Sequence, residues 1–594
     1  MAEDQHDVTT PGGTCTGIGV SPGVVVGPAF LLVTEDERVV ERDITPDEID
    51  REVARFEDAL IETHRQLHEI QEQVGKAIGQ ENAGIFEAHL MVVDDRALVE
   101  EVVKGLSEQQ KNVEYVLYVV AEQYANALAN VEDDYLKERA ADVRDVTRRI
   151  LHNLSGRPRT FLDQVQEPCI LIANDLAPSD TATLTKDKII GLATDLGSPT
   201  SHTAIMAKAM EIPAVLGLRD VSVRVSHGDQ VLLDGDKGLL IVNPSEETLQ
   251  QYGRIAQERE SIRSGLETLR DQPAETVDGY HVLLSANIEL PGDVEAVQTH
   301  GARGVGLFRT EYLFLSRNEV PTEEEQFEAY DHVASQLAPD PVIIRTLDLG
   351  GDKFLSQVRM PHEMNPFMGW RAIRFCLAQP DIFKVQLRAI LRASVHGNVK
   401  IMYPMISNVG EVLRANELLE EAKDELRARG QAFNDHVEVG IMVEVPSAAL
   451  TADLIAPHVK FFSLGTNDLV QYTLAVDRVN ERIAHLYQPA HPAIIKLIRN
   501  TAEIAHEHGI WVGVCGEMAG NPLLVPLLIG LGVDEFSVSP GSVALVKDAI
   551  RSIRYAQAEG LAEQALASKS GDDVMALCRE LTAACAPEIL ELVG

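Results

Sequence analysis

Charged and polar side chains follow several short apolar runs in the second half of the chain. Arg309 and Arg345 come at the ends of two such runs, and Arg478 follows shortly after the Gly-Thr-Asn-Asp segment at 465–468. A guanidinium binds a carboxylate or a phosphate through two parallel hydrogen bonds. Three arginines brought together therefore predict a site for a small anion that carries phosphate and carboxylate groups.

Two carboxylates and one thiol also lie at or near the ends of these apolar runs. Glu444 and Asp468 are hard oxygen donors, and two protein carboxylates plus substrate oxygens are a usual way of holding Mg²⁺. Cys515 at the end of its run can act as an acid or as a nucleophile. Taken alone, an arginine is more often half of a surface ion pair, Glu444 a satisfied carboxylate and Cys515 a small buried residue. Their joint placement favours the functional interpretation.

His202 lies apart from that set, in the stretch GSPTSHTAIMAKAMEIPAV at 197–215. Thr200 and Ser201 before it are typical helix-start residues, and apolar residues recur after it at helical spacing. Imidazole is a good nucleophile near neutral pH, and a helix N-terminus stabilises a bound phosphate. The stretch therefore predicts a phosphoryl acceptor, with a capping or packing histidine as the alternative.

The sequence also bears on the phosphoryl donor. It contains no GxxxxGK[ST] motif and no other nucleotide-binding fingerprint. Since ATP has no recognisable site, the pattern favours a donor small enough for the predicted anion site.

The elements that carry the anion-site residues alternate between strands and helices from about 275 to 594. Eight such strand–helix units predict a TIM barrel, whose active site lies at the carboxyl ends of the strands. A doubly wound sheet is the alternative. The strand-like runs are 280–288, 304–308, 341–348, 399–406, 437–445, 459–465, 511–515 and 534–539.

An all-helical block interrupts strand-rich sequence in the first half. Residues 14–33 carry β-branched runs with Gly-Pro punctuation, helical spacing extends from about 46 to 154, and strand signals return near 158. This order predicts one α/β domain into which a helical domain is inserted. The charged helical segment at about 246–270 is expected to act as a semi-rigid linker.

Composition excludes some function classes. The 594 residues carry a net charge of −40, so nucleic acid and anionic membranes would repel the chain, whereas a basic protein partner would suit it. The acidic, polar start does not resemble a signal peptide, no apolar run is long enough to span a membrane, and no CxxC pair occurs. These features predict a cytoplasmic, multidomain protein that binds neither nucleic acid nor membrane.

At these residues the sequence resembles Enzyme I of the phosphoenolpyruvate-dependent sugar phosphotransferase system, over nearly the whole chain. The resemblance implies a transferase that moves the phosphoryl group of phosphoenolpyruvate to His202 and then to the phosphocarrier protein HPr. Pyruvate is released, as the first step of sugar uptake. The motifs are GIGVSPG (17–23), TSHTAIMAK (200–208), GVGLFRTEYLF (304–314), IRTLDLGGDK (344–353), NPFMGWRAIR (365–374), GIMVEVPSA (440–448), FFSLGTNDLVQYTLAVDR (461–478) and GVCGEMAG (513–520).

The resemblance also implies residue roles. His202 is the phosphorylated histidine, Cys515 protonates the enolpyruvate, and Glu444 and Asp468 hold Mg²⁺. Phosphoenolpyruvate is bound by Arg309, Arg345, Arg371, Asn467, Asp468 and Arg478, with Glu517 in support. HPr contacts the segment FEAHLMVVDDRAL (86–98) through His89, Leu90, Met91 and Leu98.

The implied domains are a phosphohistidine domain (1–40 and 158–245), an inserted helical HPr-binding domain (41–157), a linker helix (246–272) and a phosphoenolpyruvate-binding TIM barrel (273–594). The family associates as homodimers through the barrel, and the same is expected here. The chain departs from the family pattern at Ser198-Pro199 and at Ala177.

Two other assignments share this chemistry. A pyruvate phosphate dikinase or phosphoenolpyruvate synthase has the same histidine domain and barrel, but it needs a large ATP-binding domain for which the sequence offers no segment. A regulatory phosphorelay paralogue could use every matched residue without moving sugar.

Overall fold

The computed structural model divides into two compact units, Met1–Gln257 and Glu258–Val593. Among the described residues, no helix is both long and apolar enough to cross a lipid bilayer. The structure describes residues 13–32, 39–78, 86, 89–129, 134–155, 165, 167–176, 181, 184–185, 187–197, 201–210, 212–253, 265–266, 268–315, 320–350, 365–478, 480 and 483–593.

The first unit contains an eight-stranded mixed sheet. Its strands are β1 (Thr14–Thr16), β2 (Ile18–Ser21), β3 (Val24–Leu32), β4 (Cys169–Ala173), β5 (Ile189–Thr194), β6 (Ala214–Leu216), β7 (Gln230–Asp234) and β8 (Leu239–Val242). The spatial order is β1-β8-β7-β3-β4-β5-β6-β2, and β3 to β6 run parallel. Apolar β-branched residues suit this buried parallel centre, since both of its faces are covered.

Long helices lie between β3 and β4 in the chain, which confirms the predicted helical insertion. They are Ile49–Ile78, Arg96–Gln109, Val113–Ala129 and Asp134–Ser155. Apolar residues at helical spacing bury one face of each helix in a shared core that includes Phe56, Leu67, Val102 and Val116. Met206, from the short helix His202–Ala209, also packs into this core. The short helix His202–Ala209 is therefore joined to the helical domain within the unit.

The second unit is a closed barrel of eight parallel strands. They are β9 (Leu283–Ile288), β10 (Val305–Phe308), β11 (Val342–Arg345), β12 (Val399–Tyr403), β13 (Glu438–Val443), β14 (Phe461–Leu464), β15 (Trp511–Val514) and β16 (Glu535–Val538). Each strand pairs with the next, and β16 pairs with β9. The TIM-barrel prediction is confirmed, and the doubly wound alternative is wrong because the last strand closes onto the first.

Helices cover the outside of the barrel. The longer ones are Glu323–Leu337, Pro380–Ala393, Val409–Arg429, Pro492–Glu507, Tyr555–Ala567 and Gly571–Cys585, and the shorter ones are Val294–His300, Tyr312–Leu315, Ala372–Ala378, Pro446–Leu450, Ala452–Ile455, Thr466–Leu474, Glu517–Gly520, Val525–Gly530, Val543–Arg551 and Pro587–Val593. Their start signals are local. Asn408, for example, caps Val409–Arg429 by accepting from Glu411 N at 3.2 Å, and Glu411 bonds back to Asn408.

The predicted linker helix at 246–272 is only partly described. Residues 254–264 and 267 lie outside the described residues. Arg270 is already fixed to the barrel, because Lys547 Nζ donates to its backbone oxygen at 2.6 Å.

Candidate active site

Two arginines converge on one aspartate at the carboxyl end of the barrel. Arg345 ends β11, and its Nη1 lies 2.9 Å from Asp348 Oδ2, while its Nη2 donates to Glu311 Oε1 at 3.0 Å. Arg371 precedes the helix Ala372–Ala378 and donates from Nη2 to Asp348 Oδ1 at 2.7 Å. Burial by itself would lower the pKa of both arginines, but the neighbouring carboxylates outweigh it and raise that pKa. Both guanidinium groups are therefore permanently charged.

Arg345 retains an unused donor. Its Nε is buried and has no hydrogen-bond partner within the described part of the chain. A buried polar group without a partner costs free energy, so such groups are normally satisfied. The orphaned Nε fits a ligand acceptor at this position.

Arg309 and Arg478 lie at the rim of the barrel mouth, where their side chains are partly exposed. Arg309 follows β10 and forms an ion pair with Glu289, and Arg478 Nη1 donates to Glu517 Oε1 at 3.1 Å. We call these two interactions the rim pairs. Asn467 fixes Glu517 by accepting from its backbone N–H at 2.9 Å. Exposed ion pairs contribute little to stability, so both arginines can exchange their partner for a ligand.

Two carboxylates complete the mouth. Glu444 directly follows β13, is 2% exposed and accepts a hydrogen bond from Met405 N at 2.6 Å. Asp468 lies in the first turn of the helix Thr466–Leu474. Burial raises the pKa of both groups, and the charge of Asp348 raises it further. These acidic groups therefore repel one another, with Glu444 buried and Asp468 partly exposed.

The donor chemistry at this point fits a hard divalent cation. Paired carboxylates that repel each other would be stabilised by a bound positive charge. A Cβ on Gly465 would lie 2.9 Å from Glu444 Oε2, so glycine leaves space beside that oxygen. The described residues contain no group of three or more protein ligands, so substrate or water oxygens would have to supply the rest.

Cys515 lies close to the charged groups of Arg345 and Glu444. It follows β15, is 3% exposed, and its Sγ accepts from Ser463 Oγ at 3.4 Å and contacts Leu464 O at 3.7 Å. Burial raises the pKa of the thiol to about 11. At neutral pH the group therefore holds its proton, which suits an acid better than a thiolate nucleophile. We call Arg345, Asp348, Glu444 and Cys515 the buried cluster.

His202 is the first residue of the helix His202–Ala209 in the first unit. Ser201 caps this helix, as predicted, because its Oγ accepts from Ala204 N at 3.3 Å. The helix is tied to the sheet by Ser21 Oγ, which donates to Ala207 O at 3.4 Å. The imidazole of His202 and residues 177 and 198–200 lie outside what the structure describes.

The four predicted partner-binding residues divide into two exposed and two enclosed side chains. Met91 is 67% exposed and Leu90 is partly exposed, which leaves both available to a partner. His89 and Leu98 are buried in this conformation, and their direct contact with a partner stays a prediction. His89 Nε2 instead lies 3.3 Å from Asp142 Oδ1, and Leu98 packs in the helical core.

Some residues that shape the site received no role from the sequence. Asp348 and Glu311 were visible only as polar residues near strand ends. Gln386 was missed because the helix Pro380–Ala393 has an otherwise ordinary apolar face; the available signal was one amide on that face, between Phe383 and Leu387.

Comparisons with known proteins agree along the chain. Three family models match: the N-terminal domain of PEP-utilising enzymes at 16–139, their mobile domain at 165–238 and their PEP-binding domain at 263–555. An NMR structure titled Enzyme I (nEIt) is 41% identical, covers 41% of this chain and 99% of its own, and has a TM-score of 0.37.

Three curated relatives carry the same name. A phosphoenolpyruvate-protein phosphotransferase from Bacillus sp. (strain S) is 44% identical over 95% of this chain and 98% of its own length. Those from Priestia megaterium and Bacillus subtilis are 45% and 43% identical over 94% and 95% of this chain, and 97% and 99% of theirs. Because these relatives share 43–45% identity with nearly the whole chain and three domain models match it in order, this chain belongs to the phosphoenolpyruvate–protein phosphotransferase (Enzyme I) family of PEP-utilising enzymes.

Proposed function

We propose that this protein transfers the phosphoryl group of phosphoenolpyruvate first to its own His202 and then to a histidine of HPr, with release of pyruvate. The observation that carries the proposal is the buried cluster. An arginine with an unused Nε, repelling carboxylates and a protonated thiol meet at one barrel mouth.

The arginines bind and orient the substrate. Arg345 and Arg371 supply fixed positive charge to the site. Arg309 and Arg478 leave their rim pairs and bind phosphate or carboxylate oxygens. Asn467, which already positions Glu517 beside Arg478, adds a neutral donor at the rim. Anchoring both ends of phosphoenolpyruvate holds its phosphorus in place for an in-line displacement.

The metal of this site is proposed to be Mg²⁺. Glu444 and Asp468 would hold it, and when bound it supplies charge neutralisation for the phosphoryl oxygens. The protein prepares that position by placing the partly exposed Asp468 near the buried Glu444, so that the two carboxylates repel each other.

The first half-reaction moves one phosphoryl group and one proton. A ring nitrogen of His202 forms the N–P bond while the P–O bond of phosphoenolpyruvate breaks, and the electron pair of that bond passes into the enolate. The enolate carbon then takes the proton of Cys515 Sγ, which yields pyruvate and a thiolate. Solvent restores the thiol. The guanidinium of Arg345 stabilises the thiolate in the interval, since opposite charge nearby favours the ionised form.

The second half-reaction requires a protein acceptor. The helical domain carries the exposed Met91 and the partly exposed Leu90, and we propose that HPr docks there. The acidic character of the chain suits a basic partner surface. We further propose that the protein acts in the cytoplasm as a homodimer through its barrel.

Isotope transfer tests the proposal. Phosphoenolpyruvate labelled on phosphorus, with Mg²⁺ and HPr, should label the enzyme and then HPr, and His202→Ala should abolish both signals. Labelling from ATP instead would support the dikinase alternative and would contradict this function.

A further inference from the structure

We propose that Gln386, together with Thr310, is a positioning residue that holds the two strand-end loops carrying Arg309 and Arg345 in register for the substrate. The inference rests on the proposed phosphoenolpyruvate site. Both side chains are uncharged and neither is proposed to contact the substrate, so each would act through the arginines.

Gln386 joins three elements through one buried amide. Its Oε1 accepts from Leu347 N at 2.9 Å, and its Nε2 donates to Thr310 Oγ1 at 3.1 Å and to Tyr330 Oη at 3.2 Å. The amide is 1% exposed. Both N–H donors and one acceptor site of the amide are therefore occupied.

Thr310 passes this connection to the neighbouring loop. Its Oγ1 donates to Arg345 O at 3.0 Å while it accepts from Gln386. The backbone from Arg345 to Leu347 is thus tied at both ends, at Arg345 O through Thr310 and at Leu347 N through Gln386. Thr310 itself directly follows Arg309, so one network fixes the backbone beside both arginines.

The network also has a fixed outer end. Tyr330 Oη donates to Gln326 Oε1 at 3.3 Å, and Gln326 Nε2 donates to Pro321 O at 3.1 Å. Both residues are fully buried on the helix Glu323–Leu337. Burial raises the pKa of Tyr330, so its hydroxyl stays a neutral donor. A fully satisfied buried network of this kind has a single low-energy arrangement, which is what positioning requires.

A purely structural role is the competing explanation, because any buried hydrogen bond contributes to stability. The two roles differ in what else they change. A structural amide affects only unfolding, whereas a positioning amide also affects the binding of phosphoenolpyruvate through Arg309 and Arg345.

Initial rates of HPr phosphorylation, measured with the full-length protein over a range of phosphoenolpyruvate concentrations, separate the two. Gln386→Met keeps the side-chain volume and removes all three bonds; we expect KM for phosphoenolpyruvate to rise about tenfold or more, since small misplacements of positioning groups cost up to about a hundredfold. Thr310→Val should act in the same direction and guards against poor folding of the first variant, and Thr310→Ser should restore KM.

Asn398→Leu is the matched control. Asn398 Nδ2 donates a buried hydrogen bond to Ala334 O at 3.0 Å and a partly buried one to Asp340 O at 2.8 Å, just before β12 at the opposite end of the barrel. We expect it to lower the thermal unfolding temperature as Gln386→Met does, with KM unchanged. Gln386→Met and Thr310→Val with wild-type KM would overturn the positioning role.

Failure of the underlying site looks different. Arg345→Met should abolish phosphoenolpyruvate binding. If that variant kept the wild-type KM, the proposed site itself would be wrong. If it lost binding while Gln386→Met behaved like Asn398→Leu, only the positioning role would be wrong.

Discussion

The buried cluster and the rim pairs both contain arginines paired with carboxylates, but the first are buried and the second are exposed. Arg345 is enclosed, bonded to Glu311 and Asp348, and cannot lose its charge, whereas Arg478 lies in solvent against a Glu517 side chain that is 77% exposed. Burial makes an ion pair costly to break and exposure makes it cheap to exchange. We therefore propose that the buried cluster carries out the chemical step, and that the rim pairs capture and release the substrate.

The largest expected effect is on the chemical step. Cys515→Ala should lower kcat for pyruvate release by about a hundredfold to ten-thousandfold, the usual contribution of a positioned general acid, with a much smaller change in KM. Steady-state pyruvate release measures both constants. Cys376→Ala is the matched control, because Cys376 is an equally buried barrel thiol for which no role is proposed. An unchanged kcat in Cys515→Ala would remove the thiol from the mechanism.

A second effect separates the cluster from the rim by stability. Arg345→Met leaves the carboxylates of Glu311 and Asp348 with one cation fewer, and we expect it to lower the free energy of unfolding by about 3–5 kcal/mol at pH 7. Arg478→Met should lower it by less than about 1 kcal/mol. Urea unfolding followed by circular dichroism measures the difference, and equal losses in the two variants would refute the contrast.

Glu535 shows what burial does to a carboxyl without an arginine. It lies inside the barrel at the start of β16, accepts from Ser285 Oγ at 2.8 Å, and burial raises its pKa to about 7. In the unfolded chain the pKa of this group is about 4.5. Below that pH the group is neutral in both states and does not change the free energy of unfolding. Between pH 4.5 and about 7 the group ionises in the unfolded state but stays protonated in the folded state. The free energy of unfolding therefore falls by up to about 3 kcal/mol over this range.

Glu535→Gln should remove that loss. The variant and the unsubstituted protein should differ least near pH 4.5, and the variant should gain about 3 kcal/mol in relative unfolding free energy by pH 8. Denaturant unfolding across pH tests this expectation. A difference that stays constant with pH would contradict it.

The smallest effect concerns the rim pairs and salt. At physiological ionic strength, dissolved ions largely screen the interaction between exposed charges that are more than about 8 Å apart, and higher salt shortens this distance. We therefore expect 0.5 M NaCl to raise KM for phosphoenolpyruvate a few-fold in the unsubstituted protein and less in Arg309→Gln, which has lost one rim charge. Salt dependence of KM is the measurement, and equal dependence in both proteins would show that Arg309 does not capture substrate.

The sequence predicted the barrel and the helical insertion because their signals are local. Short apolar runs mark the strands, and apolar residues recur at helical spacing through the inserted block. The set of strand-end residues was also visible, since a TIM barrel brings the carboxyl ends of all strands to one face. The resemblance then supplied the role of Cys515, which its position alone left open between an acid and a nucleophile.

What the sequence did not predict depends on contacts between distant segments. Gln386 bonds to Thr310 and Leu347 on other elements. Its place on an apolar helix face, between Phe383 and Leu387, indicates burial but does not identify these partners. His89 was assigned to a binding surface because it lies in a recognition motif, but the packing of the helical core turns its ring inward toward Asp142. Burial and pairing of this kind are settled only by the three-dimensional fold.

The most direct test of the central claim is phosphorylation of His202 by phosphoenolpyruvate in the absence of HPr. We predict rapid labelling of His202 in the unsubstituted protein, strongly slowed labelling in Arg478→Met that recovers at high phosphoenolpyruvate concentration, and none in folded Arg345→Met at any concentration. Labelling of Arg345→Met at the wild-type rate would contradict the account, because the buried cluster would then not be the site from which His202 is phosphorylated.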